Sequence, residues 1–201
     1  MKALVLGFSL LLSTSAYALH IKTNKIDVTT YKVTAIVGGI DSAMVVSYLM
    51  QSSANMKIAG DRIVLINSPG GSVVAGEQIG NAMDLERARG TKMICVVLGA
   101  AHSMAFNLLA HCDSRIASDD AVMVAHRIAM SEPSDRMTAK NLREWADHLD
   151  SINIKYDTVN AKLLKLTPEE YSKKADQEYS WSAKELLNIG FLTGGLIEII
   201  E

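Results

Sequence analysis

The chain has little cysteine, few aromatic residues and no excess of either charge. Its two isolated cysteines exclude the disulfide framework of a small secreted scaffold, and we expect Cys95 and Cys112 to be buried free thiols. Phe, Trp and Tyr make up only 5% of the sequence, which leaves few rings on which nucleic acid bases could stack. Lysine and arginine (20) nearly balance aspartate and glutamate (22) and form no cluster, so we predict no nucleic acid partner.

The apolar run at residues 3–12 is too short to cross a bilayer. It follows Lys2 and precedes the small-x-small tripeptide at residues 16–18. This order is typical of a secretory signal peptide, although a buried first strand is the alternative. We therefore predict a signal peptide at residues 1–18, with export to the periplasm or the extracellular space. The rest of the chain, residues 19–201, is predicted to form a single domain.

No metal or cofactor site is predicted. His111 and Cys112 are adjacent, but no second pair of ligands follows at the spacing that zinc sites require. No adenine-binding signature is present either. We therefore expect a protein whose chemistry depends on its own side chains.

Strand and helix patterns alternate through the first half of the chain. β-rich runs at residues 29–37, 63–66 and 92–98 are separated by helical patterns at 40–50 and 74–89. Short β-rich pieces follow at 115–118 and 121–125. Repeated strand and helix units predict a mostly parallel sheet, with functional loops at the carboxyl ends of its strands.

A serine stands where the third strand gives way to a helix. We expect this strand to stop at Gly99 and Ser103 to lie at the start of the next helix. The unpaired amides of a helix N-terminus stabilise negative charge that develops on an oxygen, so this position suits a nucleophilic hydroxyl. The alternative is that Ser103 only caps the helix.

The second half of the chain is predominantly helical. Apolar residues repeat at spacings of three and four from Leu142 to Leu163, which predicts one long helix. Its apolar face packs either on the chain's own core or on another subunit. Capping boxes at residues 167–170 and 182–185 predict two shorter helices, and a final strand is expected at 196–200.

Four segments carry a family resemblance. They are INSPGG at residues 66–71, GAAHSMA at 99–105, VMVAH at 122–126, and SAKE at 182–185 followed by GFL at 190–192. In this order they resemble segments of the proteolytic subunit of the Clp proteases, the caseinolytic serine peptidases, over residues 30–200. The resemblance implies an α/β fold of the ClpP/crotonase-like type, a spiral of repeated ββα units with a long protruding helix.

The resemblance also implies a catalytic apparatus. Ser103 takes the position of the nucleophile, His126 that of the general base, and Glu178 that of the orienting acid, with Asp176 as the competing carboxylate. The amides of Gly70 and Met104 match the oxyanion hole.

The sequence departs from the family pattern close to this apparatus. His102 replaces a small residue and offers a second possible base, Arg127 stands where the family has Gln, Glu178 replaces Asp, and one extra residue precedes His126.

The implied function is a serine endopeptidase that cleaves short or unfolded peptides inside a homo-oligomeric chamber built from heptameric rings. An exported chain is not expected to meet an ATP-dependent unfoldase. Two alternatives remain: a catalytically silent oligomeric scaffold of the same fold, and a crotonase-type acyl-thioester enzyme.

Overall fold

A computed structural model describes residues 20–21, 31–55, 60–129 and 137–198; the predicted signal peptide lies outside these ranges. The described residues form strands and helices in the following order. The strands are β1 (His20–Ile21), β2 (Lys32–Val37), β3 (Arg62–Ser68), β4 (Met93–His102), β5 (Ser114–Ser118), β6 (Val122–Val124), β7 (Ser180–Ser182) and β8 (Gly195–Glu198). The helices are α1 (Ser42–Asn55), α2 (Val73–Ala88), α3 (Met104–Leu108), α4 (Ala139–Leu164), α5 (Pro168–Ala175) and α6 (Ala183–Asn188), and a 3₁₀ turn (Leu109–His111) follows α3.

The strands form one mixed sheet in the order β1-β8-β5-β4-β3-β2, and β6 and β7 extend it beside the second half of β4. Strands β2, β3, β4, β5 and β8 pair in parallel, as does β6 with β4, whereas β1 with β8 and β6 with β7 are antiparallel. The predicted α/β fold with a mostly parallel sheet is therefore confirmed.

The central strands are buried on both faces. In β4, Cys95 and Val97 belong to the larger core under the helices, and Val96 belongs to a smaller cluster on the opposite face. Because side chains alternate along a strand, continuous apolar sequence is the expected pattern for a strand that is covered on both sides.

The prediction of free thiols is wrong. Cys95 in β4 and Cys112 after the 3₁₀ turn form a disulfide, and no free cysteine remains. Sequence spacing could not reveal this pair, since the two residues are brought together by the return of the chain across the core. The disulfide closes a loop with a sequence separation of 17, and Ser103 lies inside it.

Helix α4 is buried at one end only. Tyr156, Asp157, Asn160, Ala161 and Leu164 are buried against the rest of the chain. Leu142 and Trp145, in the first two turns, are 54% and 45% exposed. The predicted apolar face thus serves the chain's own core in its second half and faces outward in its first. None of the described helices has the length and apolar character required to span a membrane.

Candidate active site

Ser103 occupies a strained turn between β4 and α3. Strand β4 does not end at Gly99 as predicted, because a shift in its register with β3 lets it continue to His102, where it pairs with β6. Ser103 then adopts φ 55° and ψ −123°, a backbone conformation that residues other than glycine seldom adopt. Its hydroxyl makes no capping hydrogen bond. The capping alternative is therefore not realised.

The glycine loop after β3 lies directly against this turn. A Cβ on Gly70 would fall 2.6 Å from Ser103 Cβ and 3.0 Å from the Met104 nitrogen, and Gly70 has φ +90°. The Gly70 carbonyl accepts a hydrogen bond from Ile40 N at 2.8 Å, which holds the loop in place. Glycine is needed at this position both for its φ and for the close approach. The Gly70 amide itself donates to Ser68 Oγ at 3.1 Å.

Backbone pairing brings the segments that carry the predicted base and acid close to Ser103. The Ser103 amide donates to the Val124 carbonyl at 2.8 Å, so Ser103 lies beside the end of β6. Strands β6 and β7 are antiparallel, with Val124 opposite Ser180, and the Ala125 amide donates to the Tyr179 carbonyl at 3.2 Å. The pairing ends there: His126 directly follows Ala125, and Glu178, which lies in a turn with φ 51°, directly precedes Tyr179.

Aromatic packing supports the same arrangement. The ring of Phe106 in α3 stacks on Trp181 of β7 with centroids 5.5 Å apart, and on Phe191 at 5.7 Å. The helix that follows Ser103 is thereby packed against the strand that follows Glu178.

The side chains themselves are not joined. Among the described residues, no hydrogen bond links the side chains of Ser103, His126 and Glu178; instead, His126 Nδ1 lies 2.7 Å from the Arg127 carbonyl oxygen. Glu178 is exposed, with φ 51°. Asp176, the competing acid, forms an ion pair with Arg127 rather than contacting His126.

Arg127 is the residue near this site whose contacts the sequence did not predict. Its guanidinium donates to Asp157 and Asp176, each at 2.8 Å, and to the Ser172 hydroxyl. Sequence reasoning found Arg127 as a departure from the family pattern, but its partners lie 30 to 49 residues away along the chain.

The other candidate histidines have separate surroundings. His102 Nε2 is buried and has no hydrogen-bond partner among the residues that the structure describes. His111 Nδ1 lies 2.8 Å from Asp84 Oδ2. Within the ranges that the structure describes, no group of three or more His, Cys, Asp or Glu residues is arranged to hold a metal ion.

Comparison with known families connects this arrangement with one of them. A family model described as Clp protease matches residues 23–197. A search among curated proteins gives no match. The family model spans the strained serine turn, the glycine loop and the His126 segment, and the chain therefore belongs to the Clp protease family.

Proposed function

We propose that this chain is a serine endopeptidase that cleaves short or unfolded peptides. The observation that carries the proposal is the pairing at the end of β6: the Ser103 amide donates to the Val124 carbonyl, and the Ala125 amide donates to the Tyr179 carbonyl, so that His126 and Glu178 are the residues next to this second pair. Membership of a family of serine peptidases supports it. A strained serine with an unengaged hydroxyl is the kind of group that such a reaction uses as nucleophile.

The proposed reaction runs through an acyl-enzyme. His126 accepts the hydroxyl proton as Ser103 Oγ attacks the peptide carbonyl, and the Met104 amide stabilises the oxyanion together with the Gly70 amide, which must exchange its hydrogen bond to Ser68 Oγ for one to the oxyanion. The imidazolium then protonates the leaving amine, and the peptide C–N bond breaks. Water, deprotonated by His126, hydrolyses the ester and restores the serine.

Glu178 is proposed as the carboxylate of this site. Its negative charge would stabilise the imidazolium that forms in each half of the reaction. Glu178 is preferred to Asp176 because it directly precedes Tyr179, whose carbonyl accepts a hydrogen bond from the Ala125 amide next to His126, whereas Asp176 is paired with Arg127.

The protein is also proposed to work as a homo-oligomer. The exposed apolar start of α4 and the family's general tendency to form rings support an assembly, which we propose to consist of heptameric rings around an internal chamber.

Export through a signal peptide at residues 1–18 is part of the proposal, and a disulfide favours an oxidising compartment. No unfoldase partner is then required.

A fluorophosphonate probe tests the activity. The serine oxygen would displace fluoride from phosphorus, so we expect one phosphonyl group per chain at Ser103, located by peptide mass spectrometry. The label should be absent in Ser103→Ala and form much more slowly in His126→Ala. The exposed Ser151→Ala variant is the control and should be labelled as wild type.

A catalytically silent scaffold is the second candidate function. It is favoured by the absence, in the described residues, of any hydrogen bond between the side chains of Ser103, His126 and Glu178. Wild-type protein that is assembled, as judged by light scattering, and yet stays unlabelled would decide for the scaffold.

A further inference from the structure

Arg127 fixes the segment that carries His126. Its Nη1 donates to Asp157 in α4 and its Nε to Asp176 after α5, each at 2.8 Å, while Nη2 contacts the Ser172 hydroxyl. The Asp157 side chain is only 11% exposed, whereas that of Asp176 is 58% exposed, so the pair with Asp157 is the shielded one. An ion pair that is shielded from water and bonded through several nitrogens holds its geometry better than an exposed pair does. Residue 127 is therefore anchored to two helices.

The backbone on both sides of His126 is anchored as well. The Ala125 amide donates to the Tyr179 carbonyl at 3.2 Å, and the Ile128 amide donates to Asn153 Oδ1 at 3.0 Å. With Arg127 bonded to α4 and α5, the peptide groups next to His126 have little freedom to move. The carbonyl of residue 127 is thus a fixed acceptor.

That carbonyl determines which nitrogen of His126 carries the proton. His126 Nδ1 lies 2.7 Å from the Arg127 oxygen, and a carbonyl oxygen only accepts, so Nδ1 is the donor. In the neutral ring Nε2 is then unprotonated and basic. This is the tautomer that a general base for a serine needs, and in a Ser-His-Asp triad a carboxylate selects it.

We propose that Arg127 is a positioning residue for His126: its ion pairs with Asp157 and Asp176 hold the residue 127 carbonyl where it binds the Nδ1 proton. The inference rests on the proposed function and refines it. Orientation of the ring comes from the backbone of residue 127, and Glu178 contributes charge. Asp176 is an ion-pair partner of Arg127 and not the carboxylate of a catalytic triad.

Kinetics of Arg127→Gln provide the first test. We expect kcat for a peptide, and the rate of phosphonylation at Ser103, to fall by about 10- to 100-fold, as for a catalytic group displaced by a fraction of an ångström to 1 Å. KM should change little, because Arg127 is not expected to touch the substrate. Arg127→Lys, which keeps the charge, should recover part of the rate.

Arg87→Gln is the matched control. Arg87 is 35% exposed against 33% for Arg127, and it also pairs with two carboxylates, Asp84 and Asp113, but it lies on α2. Its loss should leave kcat unchanged. If Arg127→Gln fails to fold, Asp157→Asn offers a second test. It removes one of the two ion pairs of Arg127 without changing the size of the side chain, and it should also lower kcat.

The tautomer of His126 provides a readout that a purely structural role would not move. Imidazole ¹⁵N NMR, with His126→Gln to assign the signals, should show Nδ1–H in the wild type and in Glu178→Gln. Arg127→Gln should show a larger share of Nε2–H. The tautomer can be read even if the protein has no activity, so this arm is independent of the proposed function.

The outcomes separate the two proposals. Wild-type labelling at Ser103 with Arg127→Gln reacting equally fast would overturn the role of Arg127 and leave the peptidase intact. A tautomer that changes in Glu178→Gln but not in Arg127→Gln would also overturn it. Wild-type protein that is never labelled, yet keeps the Nδ1–H form through Arg127, would refute the peptidase alone.

Discussion

At the scale of single residues, the site depends on two backbone conformations that residues other than glycine seldom adopt. Ser103 has a positive φ without being glycine, and Gly70 has a positive φ beside it. For a residue other than glycine, such a conformation lowers the stability of the fold by about 1–3 kcal/mol. It persists because the surrounding structure holds the backbone in place. Here the Ser103 amide is bonded to Val124 and the Gly70 carbonyl to Ile40.

Gly70→Ala should inactivate the protein. The new Cβ would lie 2.6 Å from both Ser103 Cβ and the His102 carbonyl oxygen, which is closer than these atoms can approach, so the serine turn must move. We expect loss of phosphonylation at Ser103 and a lower midpoint in urea unfolding. Gly90→Ala is the matched control, because Gly90 also has φ +90° but has nothing within 4 Å of a new Cβ. It carries the same conformational penalty, about 1 kcal/mol, without the clash. Equal effects of the two changes would contradict the contact argument.

At this scale the sequence predicts the turn at Ser103 and the family resemblance points to Gly70, whereas the contacts around them could not be predicted, for a physical reason. Ser103 and Gly70 can be recognised in the sequence because a turn, and a position that requires glycine, are indicated by the few residues around them. The partners of Arg127 are set by how α4 and α5 pack, and no local pattern encodes that. The Cys95–Cys112 pair was missed for the same reason.

At the scale of secondary structure elements, the short strand β7 matters more than its length indicates. It was not predicted, since three residues give no periodicity, yet its pairing with β6 brings the chain that follows Glu178 beside the strand that leads to His126. The long helix and the capping boxes at Thr167 and Ser182 were predicted from local signals and are confirmed. Strand β4 was predicted too short because Gly99, a common strand terminator, lies where the register shifts.

A buried polar network joins three helices. Asn160 Nδ2 in α4 donates to Asn107 Oδ1 in α3 at 2.7 Å and to the Tyr171 hydroxyl in α5 at 2.9 Å. Burial raises the pKa of Tyr171 to about 12, so the phenol stays protonated at neutral pH. Asn107 also contacts Met104 Sδ at 3.9 Å, which connects the network to the start of α3, directly after Ser103.

Asn160→Ala should destabilise the fold by about 1–3 kcal/mol, because it leaves two buried polar groups without their partner. The free energy of unfolding in urea measures this. Thr158→Ala on the same helix is the control: Thr158 is exposed and bonds only to Ile154 O of its own helix, so we expect a change within about 0.5 kcal/mol. Similar values for the two variants would show that the network contributes little.

The disulfide should stabilise the fold by restricting the unfolded chain. For a loop of this size the expected loss on reduction is about 2–4 kcal/mol. Comparing urea unfolding of the oxidised and the reduced protein isolates the cross-link, since no side chain is replaced. The double variant Cys95→Ala/Cys112→Ala is the control and should not respond to the reductant. An unchanged midpoint on reduction of the wild type would contradict the expectation.

At the scale of the whole molecule, the exposed start of α4 is the part of the long helix not used by the chain's own core. Leu142 and Trp145 lie there with about half of their surface open to solvent, and Lys140 and Glu144 surround them with charge. An apolar strip on a projecting helix predicts contact with another subunit.

Leu142→Glu should dissociate the proposed assembly while leaving the subunit folded, because a carboxylate in an apolar interface would lose its hydration. Light scattering coupled to size exclusion measures the mass, and circular dichroism checks the fold. Ser151→Glu adds the same charge nine residues along the helix, on the face opposite Leu142, and should leave the mass unchanged. An unaltered mass in Leu142→Glu would place the interface elsewhere.

The bond between Cys95 and Cys112 makes the segment that bears Ser103 a closed covalent ring. If a neighbouring copy were to cut the backbone anywhere between these two sulfurs, the fragments would still migrate as one band on a non-reducing gel and separate only after thiol treatment. A cut in the Ser103 turn would therefore go undetected in any assay that counts intact chains without a reductant.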